Sequence, residues 1–354
     1  MAKKRNSSIE FLRLILITGI VVMHMNGAMM TTNESSSNIW LYIVNGFCNI
    51  GVSVFVLISG YYGVNCDLKK ILVFESRLLE YSLLSSLILC GFFNNSIKTL
   101  ILAFIPVSTN RYWFMTCYML LLIFSPFLNK IIEIVSYKQF RSLLLLMITV
   151  FSFVPTIIYF HPLGGSGKNI INFIMLYFIG AFIKKYNIET KFKKNTLCLV
   201  FLSSFLAIIL LNFVVTVLSG GNKIHIPFSR DCSMFVLVES ISIFLIFLKS
   251  SFYNKVINHM ANHVFAIYLS EETIRLIIQQ YIVDYLSWYD KWYYFVINIS
   301  FAVFVVVMIV FIDILVQKTI EPFFIRGLTL IVNQLNNNYN KWQKNRRGKK
   351  LNDC

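Results

Sequence analysis

Two ionisable residues, Arg13 and His24, stand eleven positions apart in the chain's first apolar run, Glu10-Phe11-Leu12-Arg13-Leu14-Ile15-Leu16-Ile17-Thr18-Gly19-Ile20-Val21-Val22-Met23-His24. An imidazole titrates near neutrality and can take the proton of an attacking hydroxyl. A guanidinium can hold a phosphate or carboxylate through paired hydrogen bonds. On a helix, eleven residues at ~100° each make ~1100°, so both side chains lie on nearly the same face, ~16 Å apart along the axis. Ionisable groups at membrane depth cost a few kcal/mol and are tolerated mainly where they face a bundle interior or a wet cavity. The first helix is therefore expected to line a reaction site, with His24 as proton acceptor and Arg13 as anion ligand. Plainer alternatives are a packed histidine bonded to a backbone carbonyl, a surface ion pair of Glu10 and Arg13 at i, i+3, or a snorkelling arginine.

The elements that must position these residues are membrane helices. Of the 354 residues, 57% are hydrophobic and only 14% charged, against roughly 25% charged in a soluble domain. Ten apolar runs are near the ~20 residues needed to cross a bilayer: 9–28, 42–62, 69–93, 112–132, 141–160, 169–185, 195–218, 232–250, 262–283 and 292–317. The first is long enough to span and no small-residue cleavage pattern follows Gly27, so it reads as a retained helix. With the N-terminus inside, 23 of the 32 lysines and arginines fall on the inner side and six on the outer, while Arg13, Arg77 and Arg275 lie within spans. The positive-inside rule then places both termini in the cytoplasm. Topology explains most of the +16 net charge, which argues against a nucleic-acid partner. The expected fold is all-α: a polytopic membrane helix bundle of about ten transmembrane helices in one domain over 1–317. An interfacial helix is expected over 318–335, and a basic, disordered tail attracted to anionic lipid over 336–354.

Seven cysteines lack paired short spacing, so neither a disulfide framework nor a metal site is expected. The Gly164-Gly165-Ser166-Gly167 stretch lacks the Gly-Lys-Ser/Thr ending of a phosphate loop and reads as a solvated turn. The run from Leu100 to Val107 is too short to span and ends near Pro106, so it is expected at the outer interface beside Trp113, where it could roof a cavity.

Several segments in order resemble the membrane-bound acyltransferase-3 family of bacteria. Glu10, Arg13 and His24 match its opening pattern, an acidic residue, two residues, an arginine, ten residues and a histidine. Gly51-Val52-Ser53-Val54-Phe55-Val56-Leu57-Ile58-Ser59-Gly60-Tyr61 resembles its Phe-Val-Ser-Gly stretch, with an ending like that of the subgroup decorating surface polysaccharides such as capsule or O-antigen. Lys70 and Arg77 stand near its basic residues at the start of the third helix. Arg111-Tyr112-Trp113-Phe114-Met115 stands at its Trp-Phe-Leu core, Ser125-Pro126 at its later proline, and Tyr177-Phe178-Ile179-Gly180-Ala181 at its sixth helix. The resemblance covers about residues 8–317. One departure lies in Tyr268-Leu269-Ser270-Glu271-Glu272, where Glu271 replaces a histidine common in the family.

The resemblance implies an O-acyltransferase of the bacterial cytoplasmic membrane, carrying acetyl from cytoplasmic acetyl-CoA to a hydroxyl of a surface polysaccharide or its lipid-linked precursor, without a metal. His24 would be the general base. Arg13 would bind coenzyme A phosphates, with Arg77 and Lys70 adding positive charge; Arg77 is alternatively balanced by an acid such as Glu75 or Glu80. Glu10, Asn26, Ser59, Arg111, Trp113, Glu271 and Glu272 are the expected substrate or cavity residues. Asn26 and Tyr61 are possible oxyanion donors, although small-residue packing suits Ser59-Gly60 better. Trp113 could stack a sugar or join an aromatic belt. Glu271 and Glu272 cannot both face one neighbour, and one of them could pair with Arg275. A multi-pass transporter or flippase would also use buried charges, but it predicts internal symmetry, which is not seen. A polymerase predicts a large outer loop, which is not seen either.

Overall fold

The computed structural model describes residues 5–32, 35–93, 97–158, 163–327 and 334. Described residues form helices and connections, with no strand among them. In chain order the α-helices are α1 (Ser7–Met25), α2 (Ile39–Phe47), α3 (Ile50–Tyr62), α4 (Leu68–Phe93), α5 (Ile97–Leu102), α6 (Trp113–Ile134) and α7 (Tyr137–Ile148). They continue as α8 (Val154–Ile158), α9 (Ile170–Lys185), α10 (Lys194–Leu218), α11 (Met234–Leu248), α12 (Lys255–Met260), α13 (Val264–Tyr281) and α14 (Tyr294–Thr319).

Among the described residues, seven helical stretches are long and apolar enough to cross a membrane: α1, α2 with α3, α6, α7 with α8, α9 with its lead-in turn, α10 and α14. The protein is a multi-pass membrane protein. The sequence windows at 69–93, 232–250 and 262–283 are also helical, as α4, α11 and α13, but fall outside that set. α11 is apolar but only 15 residues long, while α4 carries Lys70, Glu75, Arg77 and Glu80, and α13 carries Glu271, Glu272 and Arg275.

The chain forms two compact units, residues 1–66 with 107–310, and 67–106 with 311–354. The core of the first is built where α3, α9, α11 and α6 meet, around Leu57, Phe173, Tyr177, Val236 and Phe244. α3 and α9 approach backbone to backbone: a Cβ on Gly60 would meet the Tyr177 backbone, and one on Gly180 would meet the Leu57 carbonyl. Glycine at both positions is what permits the crossing. The loop after α3 is pinned there as well, since Val64 N–H donates to the Tyr177 hydroxyl (3.1 Å), which donates to Asn129 Oδ1 (2.6 Å). A π-helical turn over Thr149–Phe153 precedes Pro155, a residue with no N–H to give a regular ladder.

In the second unit Arg77 makes a two-pronged pair with Glu321, Nε to Oε1 at 2.9 Å and Nη2 to Oε2 at 3.0 Å. Its acid is therefore neither Glu75 nor Glu80. One turn further along α4, the Tyr81 hydroxyl donates to Asp313, which also accepts from Gln317. Lys70 is exposed. Of the 318–335 segment, Lys318 and Thr319 end α14, residue 320 is a turn and the backbone is helical over 321–327; 328–333, 335 and the whole 336–354 tail lie outside the described residues. The six described cysteines are free.

Candidate active site

α1 begins on Asn6, whose side chain accepts from Ser8 N–H, and places Glu10 in its first turn, where the helix dipole favours an acid. About four turns after Glu10 the helix ends just past His24. The imidazole Nδ1 lies 2.5 Å from Glu271 Oε1 on α13. A carboxylate on Nδ1 holds the hydrogen at that nitrogen and leaves the Nε2 lone pair for another proton. Glu271 is almost wholly enclosed, its side chain 4% exposed against 39% for His24. Its second oxygen lies 3.5 Å from Arg275 Nε, one helical turn on, and Arg275 in turn neighbours Tyr285. A buried carboxylate thus bridges one imidazole and one guanidinium.

His24, Glu271, Glu272 and Arg275 line a cavity of about 560 Å³, within the ~300–1,000 Å³ usual for small-molecule sites. Other lining residues come from turns and helix ends. Asn45 lies in the last turn of α2, and Asn49 stands at the break between α2 and α3, where its amide donates to the Ser229 carbonyl. The Ser229 turn is itself fixed on α10: Phe228 N–H donates to Asn212 Oδ1 at 3.0 Å, and Asn212 Nδ2 donates to Ser229 Oγ at 2.8 Å. Arg230 Nη2 donates to the Pro155 carbonyl at 2.7 Å.

Asp231 and Lys168 complete the wall. The loop before α9 closes tightly on Asp231: Cys232 N–H donates to the Ser166 carbonyl, and Asn172 Nδ2 donates to the carbonyls of Gly167 and Asp231. Gly167 has φ +94°, and a Cβ there would fall on the Cys232 backbone, so this turn needs glycine. Burial pushes the Asp231 carboxyl up to about 6, partly offset by the positive charge of Lys168. The Lys168 ammonium also lies 5.3 Å over the Trp113 ring.

The remaining expected residues are dispersed. Glu10 and Arg13 pair at 2.6 Å near the start of α1, with Arg5 Nε 3.8 Å from the other Glu10 oxygen. Arg13 is part exposed and outside the cavity wall. Asn26 is fully buried beside the cavity: its amide donates to Val22 O and Asn298 Oδ1, and its carbonyl accepts from Tyr294. Both amide hydrogens are occupied, so none is left for an oxyanion. Ser59 Oγ donates to Phe55 O within α3. Arg111 lies against the Tyr112 ring, and Trp113 packs on Phe114 and Phe173.

Both Glu271 and Glu272 line the cavity, and it is Glu271 that pairs with Arg275. Sequence reasoning did not bring Glu271 to His24, and it missed Asp231, Lys168, Asn45 and Asn49. Asp231 did carry a signal, being the lone acid between Glu189 and Glu239. The Gly164 cluster, read as chemically silent, supplies Ser166 and leads directly to Lys168.

No curated protein and no solved structure matches the chain. A family model described as an acyltransferase domain matches residues 6–316, nearly all of the helical region that holds the cavity. The chain is a membrane acyltransferase of the acyltransferase-3 family.

Proposed function

We propose that the protein is an O-acetyltransferase of the bacterial cytoplasmic membrane. It would take acetyl from cytoplasmic acetyl-CoA and place it on a hydroxyl of a surface polysaccharide or its lipid-linked precursor. Ten membrane passes with both termini inside suit this reading: Arg13 then meets the donor from the cytoplasm, while His24 and the loops bearing Lys168 and Asp231 lie toward the outside.

In the reaction, His24 Nε2 takes the acceptor's hydroxyl proton as its oxygen attacks the thioester carbonyl carbon. The tetrahedral intermediate collapses with loss of the C–S bond, and the imidazolium returns the proton to the departing thiolate. An acetyl ester and free coenzyme A result. Glu271 holds the ring in the tautomer that keeps Nε2 basic and balances the imidazolium as it forms. Arg13, which gives one hydrogen bond to Glu10, retains donors for a donor phosphate. Arg77, already neutralised by its two-pronged pair with Glu321, adds no free positive charge for the coenzyme.

The observation that carries the proposal is the 2.5 Å contact of His24 Nδ1 with a buried carboxylate at the edge of a polar cavity. In proteoliposomes given labelled acetyl-CoA and cell-surface glycan, the wild type should release free coenzyme A and label the glycan. His24→Ala should lose at least 10²-fold in rate while inserting normally. Equal turnover by the variant would overturn the assignment.

A further inference from the structure

Asp231 has no role in this scheme, yet it is built into the cavity with care. It is 7% exposed, its backbone is anchored by the turn ending at Gly167, and its carboxyl lines the cavity. No hydrogen bond reaches its side-chain oxygens from the described residues. A carboxylate only accepts hydrogen bonds, so one with no protein donor relies on whatever fills the cavity beside it. The arrangement calls for a ligand that donates. Glu272 also lines the cavity but is exposed, so water already satisfies it and a ligand gains little there.

The surrounding charges define the ligand further. Facing the cavity are Lys168 on the loop before α9, Arg230 beside Asp231, Glu271, Glu272 and Arg275 on α13, and His24 on α1. With the imidazole in its unprotonated working form, three cations balance three carboxylates. An acceptor with its own net charge would leave that balance uncompensated.

We propose that Asp231 reads the acceptor, its carboxylate accepting a hydrogen bond from a second hydroxyl of a neutral, polyhydroxylated sugar whose first hydroxyl is presented to His24. This rests on the acyl-transfer reading for the identity of the site, although binding alone can test it. Burial holds the Asp231 carboxyl near the middle of the accessible pH range. Acceptor affinity is therefore full above about pH 6 and lost as the pH falls through it. Lys168 favours the ionised form, so removing it moves that loss to higher pH.

The test is binding by the purified, full-length protein of methyl glycosides of glucose, galactose, mannose and N-acetylglucosamine, alongside the glucuronate and glucosamine glycosides, at pH 7.5 and pH 5. At least one neutral glycoside should bind more tightly than either charged one, and more weakly at pH 5. Asp231→Asn should raise its dissociation constant about tenfold and flatten the pH dependence. Lys168→Met should shift the pH dependence upward. Binding of no neutral glycoside, a charged glycoside bound as well or better, or an unaltered constant in Asp231→Asn would each overturn the inference. Binding with the expected pattern but without coenzyme A release would leave it standing and sink the acyl-transfer reading. Coenzyme A release with an acceptor KM indifferent to Asp231→Asn would do the reverse.

Discussion

Glu271→Gln is the substitution that isolates the chemistry of the His24 contact from its shape. Glutamine fills the same volume and removes the charge. When His24 takes the acceptor's proton, the imidazolium and the Glu271 carboxylate become opposite charges about 4 Å apart, attracting by about 4 kcal/mol at an effective dielectric of ~20. The His24 side chain is 39% exposed, and water on its open side screens roughly half of this. About 2 kcal/mol of transition-state stabilisation is then lost, or roughly 30-fold in kcat at ~1.4 kcal/mol per decade. Glutamine can also donate to Nδ1, placing the lone pair on the wrong nitrogen, which acts in the same direction. The assay is the initial rate of coenzyme A release at saturating donor and acceptor, with KM for acetyl-CoA expected to stay constant. Because the substitution leaves Arg275 buried without its carboxylate, stability falls too. The double variant Glu271→Gln/Arg275→Met should regain stability yet keep the kcat deficit. A kcat within threefold of wild type in the single variant would refute the reasoning, and so would recovery of kcat in the double.

Arg13→Ala should raise KM for acetyl-CoA roughly ten- to a hundredfold, the range for losing one charge-assisted contact, with kcat at saturation nearly unchanged. Arg13→Lys should recover part of the affinity because it keeps charge but not the planar fork; donor titrations that superimpose on wild type would exclude a phosphate contact. Gly180→Ala drives a Cβ into the Leu57 carbonyl, so α3 and α9 must part at a cost of about 1–3 kcal/mol. Thermal unfolding in detergent should register this as a loss of several degrees, and an unchanged midpoint would mean that the crossing is looser than described.

The helical, membrane-embedded class was legible because composition and run length report the solvent that a chain meets. Gly60 and Gly180 were legible as small residues in apolar helices, though not as partners. Polar helices were harder to judge: α4 and α13 carry their charges for purposes inside the protein, so composition no longer tells whether they cross. The cavity was the least legible part. His24 and Glu271 lie 247 positions apart, and neither helix alone says that the other arrives there. Arg77 had nearer acids on its own helix, but i, i+3 spacing is no match for a carboxylate placed to accept both guanidinium edges, as Glu321 does. Asp231 and Lys168 escaped because glycine-rich turns look solvated until a positive φ and a close backbone approach show that one is packed.

The helix that suggested the site also limits how the site can work. Arg13, Ile17, Ile20 and His24 follow one another on a single stripe of α1, and Ile17 and Ile20 are 1% and 5% exposed. A Cβ on Gly51 would meet Ile20, so α3 is pressed against the stripe between its two charged ends. The stripe is thus a packed spacer and not an open channel. On the proposed reading, a donor phosphate held at Arg13 and a thioester at His24 are separated by a fixed ~16 Å, and the connecting arm must run beside α1. Binding energy gathered at the phosphate end can then position the carbonyl for attack without itself touching the reacting bond. On that reading the arginine needs only a part-exposed pairing with Glu10, while the histidine needs a buried carboxylate backed by a second arginine.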